Sequence, residues 1–347
     1  MKILVTGGAG FIGSHTVVEL VQQGFEPVIL DNFSNSEPSV LNGIEAILGR
    51  SVRFYIGDCR DGLLLEQIFR NEQIQGVIHF AASKAVEESV REPLSYYENN
   101  VGSTISVLKT MQTCEVKNLV FSSSCTVYGE PEHLPVTEQT PCKPATSPYG
   151  NTKQIGERII RDTVSAGKGL NAVLLRYFNP IGAHPSAGIG ELPRGIPSNL
   201  IPFITQTCAG VRPCLEVYGN NYDTPDGSCI RDFIHVVDLA KAHVAALRLL
   251  FKQPTGNEFC DVFNIGTGQG HSVLETISLF KKISGQSVNY QICERRAGDI
   301  VAIYADVTKS NSDLKWKAQK TLADALTDAW RWQKTLAAPD ELSKFKD

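Results

Sequence analysis

Residues Thr6-Gly7-Gly8-Ala9-Gly10-Phe11-Ile12-Gly13 join a short β-branched run, Lys2 to Thr6, to an amphipathic stretch from Phe11 to Gln23. Such a turn leaves a chain few folds. Glycines at 7, 10 and 13 allow a tight strand-to-helix turn, let backbone N–H groups approach a pyrophosphate, and let the helix pack closely on the strand. Gly8 also opens a Gly-x-Gly-x-x-Gly register. The N-terminus of the following helix then faces the negative charge. Asp31 closes a second strand eighteen positions after Gly13, where a carboxylate can take both ribose hydroxyls and favours NAD over its 2′-phosphorylated form. The plainer alternative is a structural turn with Asp31 as a strand cap.

The alternation continues: strands at Pro27 to Leu30, Val52 to Ile56, Gly76 to His79, Asn118 to Ser122 and Ala172 to Arg176 are separated by helical stretches at Leu63 to Arg70, Pro93 to Cys114 and from Pro148 to about Val164. At least six strands alternating with helices predict an α/β fold with a doubly wound, parallel, Rossmann-type sheet. After Asn179 the prolines 180, 185, 193, 197 and 202 break the period. The expected division is a dinucleotide-binding domain over 1–180, to which residues of about 235–265 return, and a smaller mixed α/β substrate domain over 181–347.

Length and composition agree with that division. A chain of 347 residues, 42% hydrophobic and 20% charged, can bury a large core and is not disordered. A net charge of -4 without a basic stripe argues against nucleic acid and against anionic membrane, so an anionic ligand must be held locally. No apolar run reaches the length of a membrane span, and the strand at Lys2 leaves no room for a leader ahead of it. Nine cysteines, odd in number and without a Cys-x-x-Cys pair, read as reduced thiols of a cytoplasmic protein, although Cys208 with Cys214 could bridge and Cys125 could be a nucleophile. No metal is expected: the seven histidines contain no His-Glu-x-x-His, and His235 and His243 read as a turn residue and a helix-surface residue. A Ser-His-Asp hydrolase is unsupported, for no Gly-x-Ser-x-Gly elbow occurs.

Ser147-Pro148-Tyr149-Gly150-Asn151-Thr152-Lys153 carries the chemistry. Ser147 can cap a helix that begins at Pro148, which puts Tyr149 and Lys153 one turn apart on a shared face. A phenol of pKa about 10 becomes a usable base when an ammonium and a cationic nicotinamide favour its phenolate. Ser124, just after the fifth strand, lies at the C-terminal edge of the sheet, where ligands bind in such folds. An isolated Tyr-x-x-x-Lys would be a surface pair, but here it follows a dinucleotide turn and a strand ending in serines.

With Ser122-Ser123-Ser124-Cys125-Thr126-Val127-Tyr128-Gly129, Leu175-Arg176-Tyr177-Phe178-Asn179-Pro180 and Arg231-Asp232-Phe233-Ile234-His235-Val236, nearly the whole chain resembles the UDP-glucose 4-epimerase family of the extended short-chain dehydrogenase/reductase superfamily. The resemblance implies a UDP-hexose substrate, NAD as cofactor and a homodimer built on the two long helical stretches. It implies that Phe11, Ile12, Asp31, Asn32, Ser36, Asp58 and Cys59 contact NAD, together with Phe80, Ala81, Ala82, Lys84, Asn99 and Phe178. Tyr149, Lys153 and Ser124 match the family's catalytic group. Asn179, Asn199, Leu200, Arg231, Arg296 and Asp299 match positions that hold UDP, the two arginines being suited to the diphosphate.

Ala82 stands where that family often has glycine, and Cys125 where it often has alanine. Ile303 aligns with a gate: tyrosine there goes with strict glucose/galactose use, a small residue with acceptance of N-acetylhexosamines. Isoleucine is intermediate, and Tyr304 beside it could fill the pocket instead, so both outcomes stay open. The competing readings are a nucleotide-sugar 4,6-dehydratase, a UDP-glucuronate decarboxylase and a non-catalytic NAD-sensing protein. Cys125 and Thr126 occupy the places where dehydratases carry an acid pair, and a sensor usually lacks the Tyr or the Lys.

Overall fold

The computed structural model describes residues 1–167, 169–254, 258–296 and 298–337. Its centre is a seven-stranded parallel sheet: β1 (Lys2–Thr6), β2 (Glu26–Asp31), β3 (Arg53–Ile56), β4 (Gly76–His79), β5 (Asn118–Ser122), β6 (Asn171–Tyr177) and β7 (Phe259–Ile265), in the spatial order β7-β6-β5-β4-β1-β2-β3. The order reverses between β1 and β4. Crossovers leave that point in opposite directions, and a crevice opens there at the strands' C-terminal ends.

Period-two alternation explains why both faces are covered. Ile3, Val5, Ile29, Ile78, Val120 and Val173 face one way, against α1 (Phe11–Gln22) and a later helix, while Leu4, Val28, Leu30, Val77, Leu119 and Leu174 face the other, towards the helices Gly62–Glu72, Gly102–Thr113 and α2 (Pro148–Ser165). The helix α3 (Val236–Phe251) packs on α1 beneath the first layer, and β7 extends the sheet beyond β6.

A second cluster of buried side chains, including Ile181, Ile204, Val217, Phe233, Phe280 and Leu326, lies among the helices Leu200–Cys208, Val273–Ser284 and α4 (Leu322–Ala337). Short strand pairs tie it in place: Asn179–Ile181 with Phe233–His235, and Leu215–Tyr218 with Tyr290–Cys293.

Three local features differ from the sequence reading. The stretch Pro93 to Cys114 is not one α-helix: a π turn at Tyr97–Val101 separates Pro93–Tyr96 from Gly102–Thr113. That turn admits an extra residue and lets Asn100 reach both the Ser83 carbonyl (3.0 Å) and the Thr152 hydroxyl (3.0 Å). His243 is not on a helix surface but fully buried, because α3 is covered by the sheet on one side and by α1 on another. His235 caps α3, its Nδ1 accepting from Val237 N–H at 3.1 Å. All nine cysteines are free, and no described helix is long and apolar enough to cross a membrane.

Candidate active site

The glycine turn folds as its spacing requires. Gly7 has φ of +67°, and a Cβ there would stand 2.9 Å from Ala81 N on the neighbouring strand's exit. A Cβ on Gly13 would run into the carbonyl oxygen of Gly7 and approach Gly8 Cα to 2.8 Å. Gly10 caps α1 with no side chain to offer, so the first-turn N–H groups at Phe11, Ile12 and Gly13 lack intrahelical partners and point into the crevice mouth.

Asp31 ends β2 buried beside that turn, where its carboxylate accepts from Ala9 N–H (3.0 Å), Phe33 N–H (2.9 Å) and the Ser36 hydroxyl (3.0 Å). The acid is thereby rigidly aimed, and the cradle fits a dinucleotide: donors for phosphates, a carboxylate for ribose, no Cβ in the way. Asn32 reaches across to Asp58 at 3.3 Å, and Arg60 pairs with Asp58 at 2.8 Å, holding that carboxyl below its ordinary value. Burial drives the Cys59 thiol up to about 12.

Further along the crevice, Ser147 caps α2 as expected, its Oγ accepting from Gly150 N–H at 3.2 Å with Pro148 in the first turn. Tyr149 and Lys153 share the buried face of α2. Lys153 Nζ donates to the Ser122 carbonyl at 2.7 Å and lies 5.9 Å from the Tyr149 ring centroid. Burial pulls the ammonium down from 10.5 to about 8, partly opposed by Glu157. Burial also pushes the Tyr149 phenol well above its ordinary value, and a hydrogen bond with Ser124 opposes this. Ser124 itself caps the single turn Cys125–Tyr128, accepting from Thr126 N–H at 3.2 Å.

Sequence reasoning missed the scaffold beneath this cluster. Glu157, one turn beyond Lys153, binds Arg176 of β6 through two hydrogen bonds (2.8 and 2.6 Å) and accepts from the Ser123 hydroxyl at 2.6 Å. Ser122 and the Tyr177 hydroxyl share a bond of 2.7 Å. Arg176 was legible only as part of a phrase, and its pairing with Glu157 joins residues 19 apart in sequence. Thr6 and His79 are linked at 2.7 Å under the crevice floor, and desolvation brings that imidazole down to about 3. The Cys125 thiol is raised to about 12 by burial, which removes it as a nucleophile at neutral pH.

Across the crevice stand the residues expected on the substrate side. Asn179 and Phe178 follow β6, Phe178 buried with Cys125, Val127, Val136 and Ile303. Ile303 is paired with Arg231 in a parallel register, and Arg231 Nη1 donates to the carbonyls of Ile230 and Ile300 (2.9 and 2.7 Å). Ile303 lies in the buried cluster around Phe178, while the ring of the adjacent Tyr304 lies against Gly270. Arg296 pairs with Asp299 at 2.8 Å and lies over the Tyr218 ring, 5.2 Å from its centroid. Asn199 and Leu200 begin the helix Leu200–Cys208. Glu191, not singled out by sequence, accepts from both Lys84 (3.2 Å) and Asn199 (2.5 Å).

A doubly wound sheet whose switch point holds a glycine turn, a buried acid at the end of β2 and a Tyr-Lys pair on one helix defines a nicotinamide-dinucleotide enzyme of the short-chain type. The chain belongs to the NAD dependent epimerase/dehydratase family, whose profile matches residues 3–266. It is 50% identical over 339 residues to the UDP-glucose 4-epimerase of Homo sapiens, covering 96% of each chain, and 49% identical over 332 residues to that of Dictyostelium discoideum, covering 96% of this chain and 95% of the relative. Among solved structures it is similar to a UDP-glucose 4-epimerase of Stenotrophomonas maltophila with bound NAD and formylated UDP-arabinopyranose (TM-score 0.94, 46% identity, 97% of this chain and 99% of that one). It is also similar to that of Bifidobacterium longum in complex with NAD+ and UDP (TM-score 0.92, 47% identity, 96% and 98% covered).

Proposed function

We propose that this chain is a UDP-glucose 4-epimerase, interconverting UDP-galactose and UDP-glucose by oxidation of C4 to a 4-keto sugar, rotation of the sugar and re-reduction. The observation that carries this reading is the buried cluster of Tyr149, Ser124 and Lys153 at the crevice mouth, in a chain half identical to such epimerases over nearly its full length. Bound NAD supplies the acceptor, and then the donor, of the C4 hydride. Gly7, Gly10, Phe11, Ile12 and Gly13 hold its pyrophosphate and Asp31 its ribose, within a domain of residues 1–180 to which 235–265 return. Residues 181–347 bind the UDP-sugar.

Tyr149 Oη takes the proton from the sugar 4-hydroxyl and later gives it back. Because burial favours its neutral form, the positive charge of Lys153 is what makes the phenolate accessible, and a bound cationic nicotinamide would add to it. Ser124 orients the 4-oxygen. Arg231 and Arg296 grip the diphosphate, so binding strength resides in the nucleotide and the hexose is free to present either face. Ile303, facing the Phe178 cluster, leaves more room than a tyrosine gate, which supports turnover of UDP-N-acetylgalactosamine as a second substrate. Free thiols support a cytoplasmic setting, and Leu94, 81% exposed in the Pro93–Tyr96 helix, supports a homodimer on that face.

Incubation with UDP-galactose and no added NAD, followed by chromatography of the nucleotide sugars, tests the reading. UDP-glucose appearing up to a constant ratio is expected. Absence of product, with added NAD giving no rescue, overturns it.

A further inference from the structure

The segment from His184 to Asn199 crosses the crevice as an irregular strap, seated at its start by close packing. Ala183 and Gly190 form an antiparallel bridge, and His184 N–H donates to Ile189 O at 3.0 Å. Gly190 lies so tightly against the Trp332 ring of α4 that a Cβ would stand 2.5 Å from its Cγ, and the Trp332 indole N–H donates to the Glu191 carbonyl at 2.9 Å.

Two side chains then fasten the strap to the loops that follow β2 and β4, on either side of the switch point. Arg194 bonds the loop that carries Ser36 and follows Asp31: its guanidinium donates to Ser34 O (3.0 Å), Ser36 O (2.8 Å) and the Glu37 carboxylate (2.8 Å). Glu191 bonds Lys84, which follows β4 on the other side of the switch point, at 3.2 Å. The same Glu191 oxygen accepts from Asn199 at 2.5 Å, and its side chain is only 9% exposed. One carboxylate therefore joins a residue assigned to NAD and a residue assigned to UDP.

We propose that Glu191 and Arg194 are positioning residues that clasp the strap over the dinucleotide, so that engagement of UDP by Asn199 and retention of NAD are energetically coupled. The inference rests on the assignment of Lys84 to NAD and Asn199 to UDP under the proposed function. Its chemical sense is that both half-reactions need the same cofactor molecule, and a cofactor lost between them ends the cycle. Coupling of this kind is reciprocal: if UDP tightens NAD, then NAD tightens UDP by the same factor.

The test uses the purified NAD-loaded protein and reads cofactor release, by timed gel filtration and assay of NAD in the small-molecule fraction, with and without UDP. In the unmodified protein UDP should slow release by roughly tenfold or more, a typical coupling between sites. Arg194→Lys, which keeps the charge but gives up the fork to two carbonyls, should speed release by on the order of tenfold in both conditions. Glu191→Gln should shrink the effect of UDP to less than about twofold, because the shared ion pair is gone. A loss of general rigidity would raise both rates and leave their ratio unchanged, so the ratio isolates positioning from stability. The proposal is overturned if UDP does not slow release in the unmodified protein, or if Glu191→Gln keeps the full UDP effect. Turnover of UDP-galactose with unlinked release sinks the clasp alone; linked release without turnover sinks the epimerase reading alone.

Discussion

Replacing Lys153 by Met should make the protein more stable and nearly inactive. Burial brings this ammonium from 10.5 to about 8, and at about 1.4 kcal/mol per pH unit that shift is an unfavourable contribution to folding of roughly 3 kcal/mol at pH 7. The variant loses the bond to the Ser122 carbonyl, worth about 1 kcal/mol net. Lys153→Met should therefore be about 2 kcal/mol more stable than the unmodified protein at pH 7. The pH dependence has a definite sign. The folded pKa is below the unfolded one, so between about 8 and 10.5 the unfolded chain binds more protons, and the stability of the Lys153 protein rises with pH. Contributions from all other groups largely cancel in the comparison, and the advantage of the variant should shrink steadily from pH 8 to pH 10. Urea unfolding at pH 7, 8, 9 and 10, followed by tryptophan fluorescence, measures it. A variant that is less stable at pH 7, or whose advantage does not change with pH, refutes the claim that the site holds a charged lysine against its desolvation. Epimerisation by the variant should fall by about a hundredfold or more, as for loss of a group that supports proton transfer.

Three further outcomes follow from the same geometry. Tyr149→Phe should lower turnover by about 10² to 10⁴ while the content of bound cofactor, measured after acid release, stays at the unmodified level; near-normal turnover removes Tyr149 as the acid and base. Glu157→Gln should destabilise the protein by about 3–5 kcal/mol in urea, since it strands the buried Arg176 guanidinium; replacing both residues with apolar ones of similar volume should recover most of the loss, and equal instability of single and double variants would contradict the pairing. Ile303→Tyr should abolish turnover of UDP-N-acetylgalactosamine while leaving UDP-galactose within about threefold, and an unchanged preference would show that another side chain forms the gate.

Much of the fold was legible because parallel sheets write themselves plainly. The strands at Lys2–Thr6, Gly76–His79 and Asn118–Ser122 fall where the apolar runs stand, since a strand covered on both faces is a continuous hydrophobic run. The helix Ser39–Leu48 leaves little mark in the sequence, because it carries a glycine at 43 and opens at Pro38 without a side-chain cap. The short helices Val86–Arg91 and Thr308–Asp313 offer too few turns for a period to show. The seventh strand, Phe259–Ile265, lies parallel beside β6, a choice among pairings that local sequence does not make.

Sequence alone determined the parts of the site set by local geometry. The glycine spacing dictates a turn without side chains, and the Ser147-Pro148 cap puts Tyr149 and Lys153 on one face, because each involves residues within one or two turns of each other. Only the tertiary structure decided what surrounds them. The burial that raises Tyr149 and lowers Lys153, the Glu157–Arg176 pair beneath the serines, the place of Ile303 in the cluster around Phe178, and the meeting of Lys84 with Asn199 on Glu191 all join segments distant in the chain. Desolvation and ion pairing depend on what packs around a group, and that is a property of the assembled core rather than of any stretch of residues.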